Sequence, residues 1–430
     1  MSIRRLLEKV KTNEFILAVI GLGRVGLPLA AVSASSGIKT IGFDINMNLI
    51  KKVSEGVSPF HEPGLNDLLR KVVRRYLTVT TTMDEVFNAD VLIITVGTPL
   101  TVDLQPDYSQ LLSALRSLAK PSLKGKVVVI RSTTSPGTLE GVVKPMFEKS
   151  GLKAGIDFGL VACPERIAEG KAIEELKTLP EIVGGIDDIS SKVVGEFFKK
   201  INPQKKVIYT TPTCAELAKL FTNVFRYVNF ALANEFALLS EKYGADAFEV
   251  IEIANTGYPR GGIPTPGLTG GPCLSKDGYY LLHDWIFPDL IMMAWRLNEF
   301  LPLHIVNKLN EKLKEMNMTL ANTKVGVLGL AYKKDIDDTR YSPAERLVRL
   351  LQTYGAETLV HDPYVSGTLP LDEVLDESEV LILAVNHSAF VGLEKRIESS
   401  SNIKLVYDVW RLFDARKFKR VKYLRLGRAY

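Results

Sequence analysis

Cysteine is scarce in this chain: three in 430 residues, and Cys163, Cys214 and Cys273 form neither a paired-ligand spacing for zinc nor a disulfide framework. No metal site is expected, and a reducing, cytoplasmic setting fits. Long apolar runs are missing too, so no segment reads as a membrane span. The first thirteen residues lack the apolar centre of a signal peptide; Leu6, Leu7 and Val10 fall at helical spacing among Arg4, Arg5, Lys9 and Lys11, which predicts a short amphipathic helix. Neither sign of charge dominates. The net charge is +5, and the densest basic run, Arg411 to Arg428, is interleaved with apolar residues. A solvated face or phosphate-bearing small molecules account for it without nucleic acid. Short repeats and low-complexity tracts are also absent.

What is present is a sequence apolar enough, at 46% hydrophobic, for two or three cores. Phe15 to Ile20 reads as a buried strand and Ile38 to Phe43 as the next. Further strand signals lie at Leu77 to Thr81, Val91 to Val96, Val127 to Ile130, Phe158 to Ala162 and Glu181 to Gly184. Strands alternating with helical stretches predict a parallel, doubly wound sheet. From Ala215 to Tyr243 there is no Gly or Pro, and apolar residues recur at helical spacing, so one long helix is expected. A Gly/Pro-rich loop, Thr256 to Pro272, precedes a second helical stretch, Leu290 to Met316. Lys324 to Leu330 then opens a second strand-turn unit, followed by a helix around Ala344 to Tyr354 and strands at Thr358 to His361 and Val380 to Val385. The fold class is α/β: two doubly wound, parallel-sheet domains joined by a long central helix and a helical middle.

The first strand runs into Gly21-Leu22-Gly23-Arg24-Val25-Gly26, which opens a helix, and Asp44 ends the next strand. In that context the glycines permit a tight turn and close approach of a pyrophosphate to the helix N-terminus, while Asp44 accepts from ribose hydroxyls. A carboxylate there repels a 2′-phosphate, so NAD is expected over NADP. Thr98, Pro99 and Thr133 follow later strands, at the carboxyl edge where open parallel sheets bind ligands, although such residues also serve as plain turns.

Gly270-Gly271-Pro272-Cys273-Leu274-Ser275-Lys276-Asp277 sets a thiol, an ammonium and a carboxylate in one turn behind two glycines. A nearby Lys favours the thiolate, the attacking form. A lone Cys is more often a small buried hydrophobe. Glu165 and Glu169 stand four residues apart after another strand, and would share a face if that segment were helical. An acid placed there could activate water. Lys219 and Asn223, also four apart, lie on the apolar side of the long helix, where ammonium and amide could stabilise an oxyanion.

The order and spacing of these motifs, with Gly329-Leu330-Ala331-Tyr332-Lys333-Lys334-Asp335 further on, resemble the UDP-glucose/GDP-mannose 6-dehydrogenase family over essentially the whole chain after Asn13. The resemblance implies two Rossmann-like domains: residues 15–211 binding NAD and 319–430 binding a UDP-sugar, with a central helical and dimerisation domain at 212–318 after the helix at 1–14. It implies oxidation of a nucleotide sugar's C6 alcohol to a carboxylate with reduction of two NAD, in a homodimer. Cys273 would form the thiohemiacetal and thioester, and Lys219 would be the proton acceptor or oxyanion partner beside Asn223. Asp277 would position Lys219 or a water, Glu165 would assist hydrolysis, and Thr133 would orient water. Gly21, Gly23, Arg24, Val25, Gly26, Asp44, Thr98, Pro99 and Glu169 would hold the cofactor; Arg166, Arg260, Lys276, Lys333 and Arg340 would hold substrate.

Within the family, Pro164-Glu165-Arg166 and Tyr258-Pro259-Arg260 look like the branch acting on UDP-N-acetylhexosamines, in which that Arg reaches substrate across the dimer. Cys273 to Asp277 looks more like the glucose-specific form. UDP-N-acetyl-D-mannosamine is therefore the first expected substrate and UDP-glucose the runner-up. A two-electron β-hydroxyacid dehydrogenase would explain neither Cys273 nor the last domain, and a non-catalytic nucleotide-sugar binder would be expected to have lost Cys273, Lys219 or Asp277. Tyr341, where a Glu often follows the Arg, and Asp408-Val409-Trp410-Arg411 depart from the family pattern on the nucleotide side.

Overall fold

Strands apolar on both faces can be buried only between helical layers, and the computed structural model, which describes residues 2–282 and 285–428, contains two such sheets. The described residues divide into two compact units, one running to Thr222 and including the short stretch from Tyr279, the other holding the remainder.

In the first unit the strands are β1 (Ile16–Ile20), β2 (Lys39–Phe43), β3 (Leu77–Thr80), β4 (Val91–Ile94), β5 (Val127–Ile130), β6 (Gly159–Ala162), β7 (Glu181–Gly185) and β8 (Val207–Thr210), in the spatial order β3-β2-β1-β4-β5-β6-β7-β8. Alternate residues feed opposite cores. Leu17, Val19, Val91, Ile93, Val127 and Val129 join one apolar cluster, and Ala18, Ile20, Leu92, Ile94, Val128 and Ile130 the other. The first helix, Ile3–Thr12, is capped by Ser2 and ended by Asn13 at φ 62°, and it buries Ile3, Leu6 and Val10 in the first cluster. Met1 lies outside the described residues.

One pairing departs from the expected all-parallel sheet: β6 and β7 are antiparallel, with Val161 opposite Gly185 and Ala162 opposite Gly184. A parallel return needs a crossover spanning the sheet. Residues 164–170 are irregular and the following helix, Ala172–Thr178, has only seven residues, about 10 Å of rise. The chain therefore turns back from the carboxyl end of β6, the edge that carries Glu165 and Glu169.

The second sheet consists of β9 (Lys324–Leu328), β10 (Glu357–His361), β11 (Val380–Leu383), β12 (Leu405–Asp408) and β13 (Lys422–Arg425), all parallel, in the order β10-β9-β11-β12-β13. Val325, Val327, Val380, Ile382 and Leu405 face one core and Leu328, Leu381, Leu383 and Val406 the other. The long helix spans Pro212–Lys242, and the helices Ala247–Asn255, Asp289–Glu315 and Pro343–Thr353 follow it in the chain. Among the described residues no helix is long and apolar enough to cross a membrane.

Candidate active site

The first unit places its polar groups at the carboxyl edge of the sheet. Gly21, at φ 93°, makes the turn after β1, and Asp44 turns one carboxylate oxygen back to the N–H of Leu22 at 2.8 Å while the other accepts from Asn46 N at 2.9 Å. A Cβ at Gly26 would stand 1.8 Å from Gly21 O, so the helix can approach the turn only with glycine there, whereas nothing lies within 4 Å of a Cβ at Gly23. The helix beginning at Gly26 has no side-chain cap from Val25; Leu27 N donates to Gly23 O at 3.0 Å, Leu29 N to Val25 O at 3.2 Å, and Pro28 has no N–H to offer. A tight glycine turn, an open Gly23 and a half-buried acid after β2 fit a dinucleotide. The Arg24 guanidinium lies over the Phe60 ring, 5.0 Å from its centre, and 3.6 Å from Glu169.

The loops after β4 and β5 are laced together: Thr98 Oγ1 donates to Thr133 O at 2.9 Å and Ser132 Oγ to Val96 O at 2.7 Å. Lys219, buried, donates from Nζ to Thr133 Oγ1 at 2.5 Å. This contact is held by a residue that sequence reasoning missed. Glu216, one helical turn before Lys219, accepts from Thr134 Oγ1 (3.2 Å), Gly137 N (2.6 Å) and Leu139 N (3.0 Å), clamping the loop to the long helix. Burial pushes the Glu216 carboxyl up, against those bonds. A carboxylate among Ala215, Leu217 and Leu220 was the available signal.

Glu165 and Glu169 do not share a helical face, because their segment is not a helix. Glu165 points inward. Its Oε2 accepts from Arg131 Nε at 2.6 Å, and Oε1 from the N–H groups of Arg166 (2.7 Å) and Ile167 (2.9 Å). Arg131 also donates to Glu181 at 3.0 Å, and Lys205 lies 3.0 Å from the same carboxylate, so two cations and two anions share a buried cluster. Burial opposes the charge on Arg131, but Glu165 and Glu181 outweigh it and push the guanidinium up. Burial pushes the neighbouring Cys163 thiol up as well, which keeps that sulfur unreactive. Arg131, missed from sequence, was signalled by a charge closing the apolar run Val127–Ile130. Arg166 donates to the carbonyl of Pro180, and Pro99 O accepts from Asp107 N at 2.8 Å.

In the second unit the thiol loop is fixed by its glycines. Gly271, at φ 98°, donates to Tyr341 O at 3.1 Å, and a Cβ on it would stand 2.4 Å from the Tyr332 ring; one on Gly270 would stand 2.6 Å from Tyr341 O. One helical turn follows, with Asp277 N donating to Cys273 O at 2.9 Å and Trp295 Nε1 to Ser275 O at 2.7 Å. Cys273 is exposed, while Asp277 is wholly buried and accepts from Asn223 Nδ2 at 2.7 Å. Lys276 Nζ lies 3.5 Å from Asp277. Lys333 is exposed, Arg340 pairs with Asp338 at 3.0 Å, and Arg260 lies over the Tyr258 ring at 4.8 Å.

The first unit carries a dinucleotide-type turn, and the second carries an exposed thiol three and four residues before Lys276 and Asp277 together with a second nucleotide-type sheet, features of the class of nucleotide-dependent dehydrogenases. The chain belongs to the UDP-glucose/GDP-mannose dehydrogenase family: residues 16–202 match its NAD binding domain, 213–298 its central domain and 326–415 its UDP binding domain. It is 38% identical over 400 residues to UDP-N-acetyl-D-mannosamine dehydrogenase of Pyrococcus horikoshii, covering 91% of this chain and 94% of that one. The solved structure of the UDP-D-ManNAc dehydrogenase of that organism superposes with a TM-score of 0.91 at 37% identity, over 96% of this chain and 99% of the other. The structure of a UDP-glucose dehydrogenase from Pyrobaculum islandicum gives 0.84 at 28%, over 95% and 97%. The chain is an NAD-dependent UDP-sugar 6-dehydrogenase.

Proposed function

We propose that the substrate is UDP-N-acetyl-D-mannosamine, oxidised at C6 to UDP-N-acetyl-D-mannosaminuronate through a thioester on Cys273. The observation that carries the choice of sugar is the full-length likeness to the Pyrococcus horikoshii enzyme, higher in both identity and superposition than that to the Pyrobaculum islandicum UDP-glucose dehydrogenase. Pro164-Glu165-Arg166 and Tyr258-Pro259-Arg260 support it. Cys273-Leu274-Ser275-Lys276-Asp277 favours UDP-glucose as the second reading.

The chemistry divides among this chain's residues. NAD, when bound, accepts a hydride in each of two oxidations. Asp44 receives the adenosine ribose and the Gly21 to Gly26 turn the pyrophosphate, with Arg24, Val25, Thr98, Pro99 and Glu169 lining the same cofactor site. Lys219, hydrogen-bonded to Thr133, takes up or shields the alcohol's negative charge while its proton leaves, and Asn223 adds an amide donor. Cys273 then adds to the C6 aldehyde, because only a tetrahedral adduct has a second hydride to lose. Asp277 and Lys276 orient the adduct and a water, and Glu165 receives that water's proton as the thioester is hydrolysed. Arg166, Arg260, Lys276, Lys333 and Arg340 hold the UDP-sugar.

The working form is a homodimer in the cytoplasm. Phe225, Leu232 and Leu239, exposed at seven-residue intervals on the long helix, and Val250 and Ile253 on the next helix supply an apolar face suited to a second copy. Sedimentation would show it as a doubled mass. Initial rates of NADH formation with UDP-N-acetylmannosamine, UDP-N-acetylglucosamine, UDP-N-acetylgalactosamine and UDP-glucose test the substrate. The mannosamine sugar should give the highest kcat/KM, and a higher value for glucose would replace this reading.

A further inference from the structure

Asp362 ends β10 as Asp44 ends β2, and each turns a carboxylate oxygen to the N–H after the first glycine of its turn: Asp44 to Leu22 at 2.8 Å, Asp362 to Leu330 at 2.7 Å. The two acids then differ. Asp44 is half-buried, whereas Asp362 is buried and committed inward: Oδ2 also accepts from Ala331 N (2.9 Å) and contacts His387 Nε2 (3.0 Å), and Oδ1 accepts from Tyr364 N (2.9 Å) and Val365 N (3.2 Å). Asp362 is therefore not presented outward as Asp44 is, and the segment between Leu330 and Asp335 instead exposes Lys333 and Lys334.

The far end of that segment is tied to the same imidazole. Asp335 has a left-handed backbone, at φ 57°, and its N–H donates to His387 Nδ1 at 2.8 Å. Its carboxylate accepts from Ser388 N and Ser388 Oγ, each at 2.7 Å, and from Tyr364 OH at 3.3 Å. With Nδ1 accepting, the proton of a neutral imidazole sits on Nε2 and points at Asp362. His387 has no exposed surface and lies between the Tyr364 and Phe390 rings, with centroids at 5.1 and 5.5 Å.

We propose that His387 is the positioning residue of the UDP-sugar loop: one buried imidazole joins Asp362, which holds the near end of the 330–335 segment, to Asp335 at its far end, and so fixes where Lys333 and Lys334 meet the diphosphate. The proposal rests on the reading that Lys333 holds substrate.

The test uses UDP itself in titration calorimetry together with steady-state kinetics of the full chain. An Asn side chain places its amide near the Nδ1 position and can still accept from Asp335 N–H; a Gln side chain reaches the Nε2 position and keeps only the bond to Asp362. His387→Gln should raise the Kd for UDP and the KM for the UDP-sugar about tenfold, the scale of one lost hydrogen bond at a charged group, with kcat and the KM for NAD changed far less. His387→Asn should recover most of the affinity. Ser388→Ala, which removes one bond to Asp335 on an exposed side, should weaken UDP a few-fold without unfolding the protein, and it decides the matter if the His387 variants do not fold. Equal losses in the Gln and Asn variants, or unchanged UDP affinity in Ser388→Ala, overturn the proposal. Lys333→Ala separates it from the reading beneath it: unchanged UDP affinity there removes Lys333 as a substrate group, whereas weakened affinity with no effect at His387 or Ser388 removes only the positioning role.

Discussion

Arg131 Nε meets Glu165 Oε2 at 2.6 Å with both side chains almost fully buried, so the carboxylate expected to assist hydrolysis is held by a cation beneath it. Its Oε1 already has two backbone donors, and water can be received only at the remaining lone pair of Oε2. Arg131→Met would leave Glu165 and Glu181 facing each other with Lys205 alone to balance them. Removing one partner of a buried charge cluster typically costs about 3–5 kcal/mol. Denaturant unfolding should show a loss of that order, and a loss below about 1 kcal/mol would mean that the cluster relaxes or admits water.

Glu165→Gln should leave capture and both hydride transfers possible while slowing water attack. A lost general base costs about a hundredfold to ten-thousandfold, enough to make deacylation limiting. Intact-protein mass spectrometry with substrate and NAD should then show an acyl adduct on Cys273, and Cys273→Ser should show either a slowly hydrolysed ester or very slow turnover. Wild-type turnover by Glu165→Gln without an adduct would move the role to Glu169 or Asp277.

Asp44→Ala should weaken NAD binding and relax discrimination against NADP, because it removes both the ribose acceptor and the repulsive charge. Kinetics with each cofactor read this directly. Unchanged cofactor preference would place Asp44 outside the ribose pocket.

Burial raises the Asp362 carboxyl, but the bonds from His387, Leu330 and Ala331 outweigh it and hold the pKa down at about 2. A depressed carboxylate adds stability above its unfolded pKa, near 3.9, and loses it as pH falls toward the folded value; the shift corresponds to about 2.5 kcal/mol. Wild type should therefore exceed Asp362→Asn in stability at neutral pH, and the gap should close between about pH 4 and pH 2. A gap independent of pH would mean that the carboxylate's charge contributes nothing.

Most of the fold was legible because both sheets are made of unbroken apolar strands between glycine turns, and the long helix because nothing between Ala215 and Tyr243 interrupts it. Strands β8, β12 and β13 were not: Val207–Thr210 and Lys422–Arg425 are edge strands with exposed or charged positions, and Leu405–Asp408, though buried, is a short run between Lys404 and the acid that ends it. The reversal of β7 was hidden because strand direction is set by the connection, and nothing in residues 164–170 shows that they form no crossover helix. The residues proposed to touch ligands stood out as motifs. Arg131, Glu216 and His387 act by holding other groups from distant points in the chain, and a single sequence does not show which residues they meet.

The central claim is a four-electron oxidation on Cys273, and product stoichiometry at full conversion tests it most directly. Each UDP-N-acetyl-D-mannosamine consumed should yield two NADH and the C6 carboxylate, with no free aldehyde detectable at any stage. One NADH per sugar with aldehyde accumulating would contradict the thioester route and leave a two-electron dehydrogenase in its place.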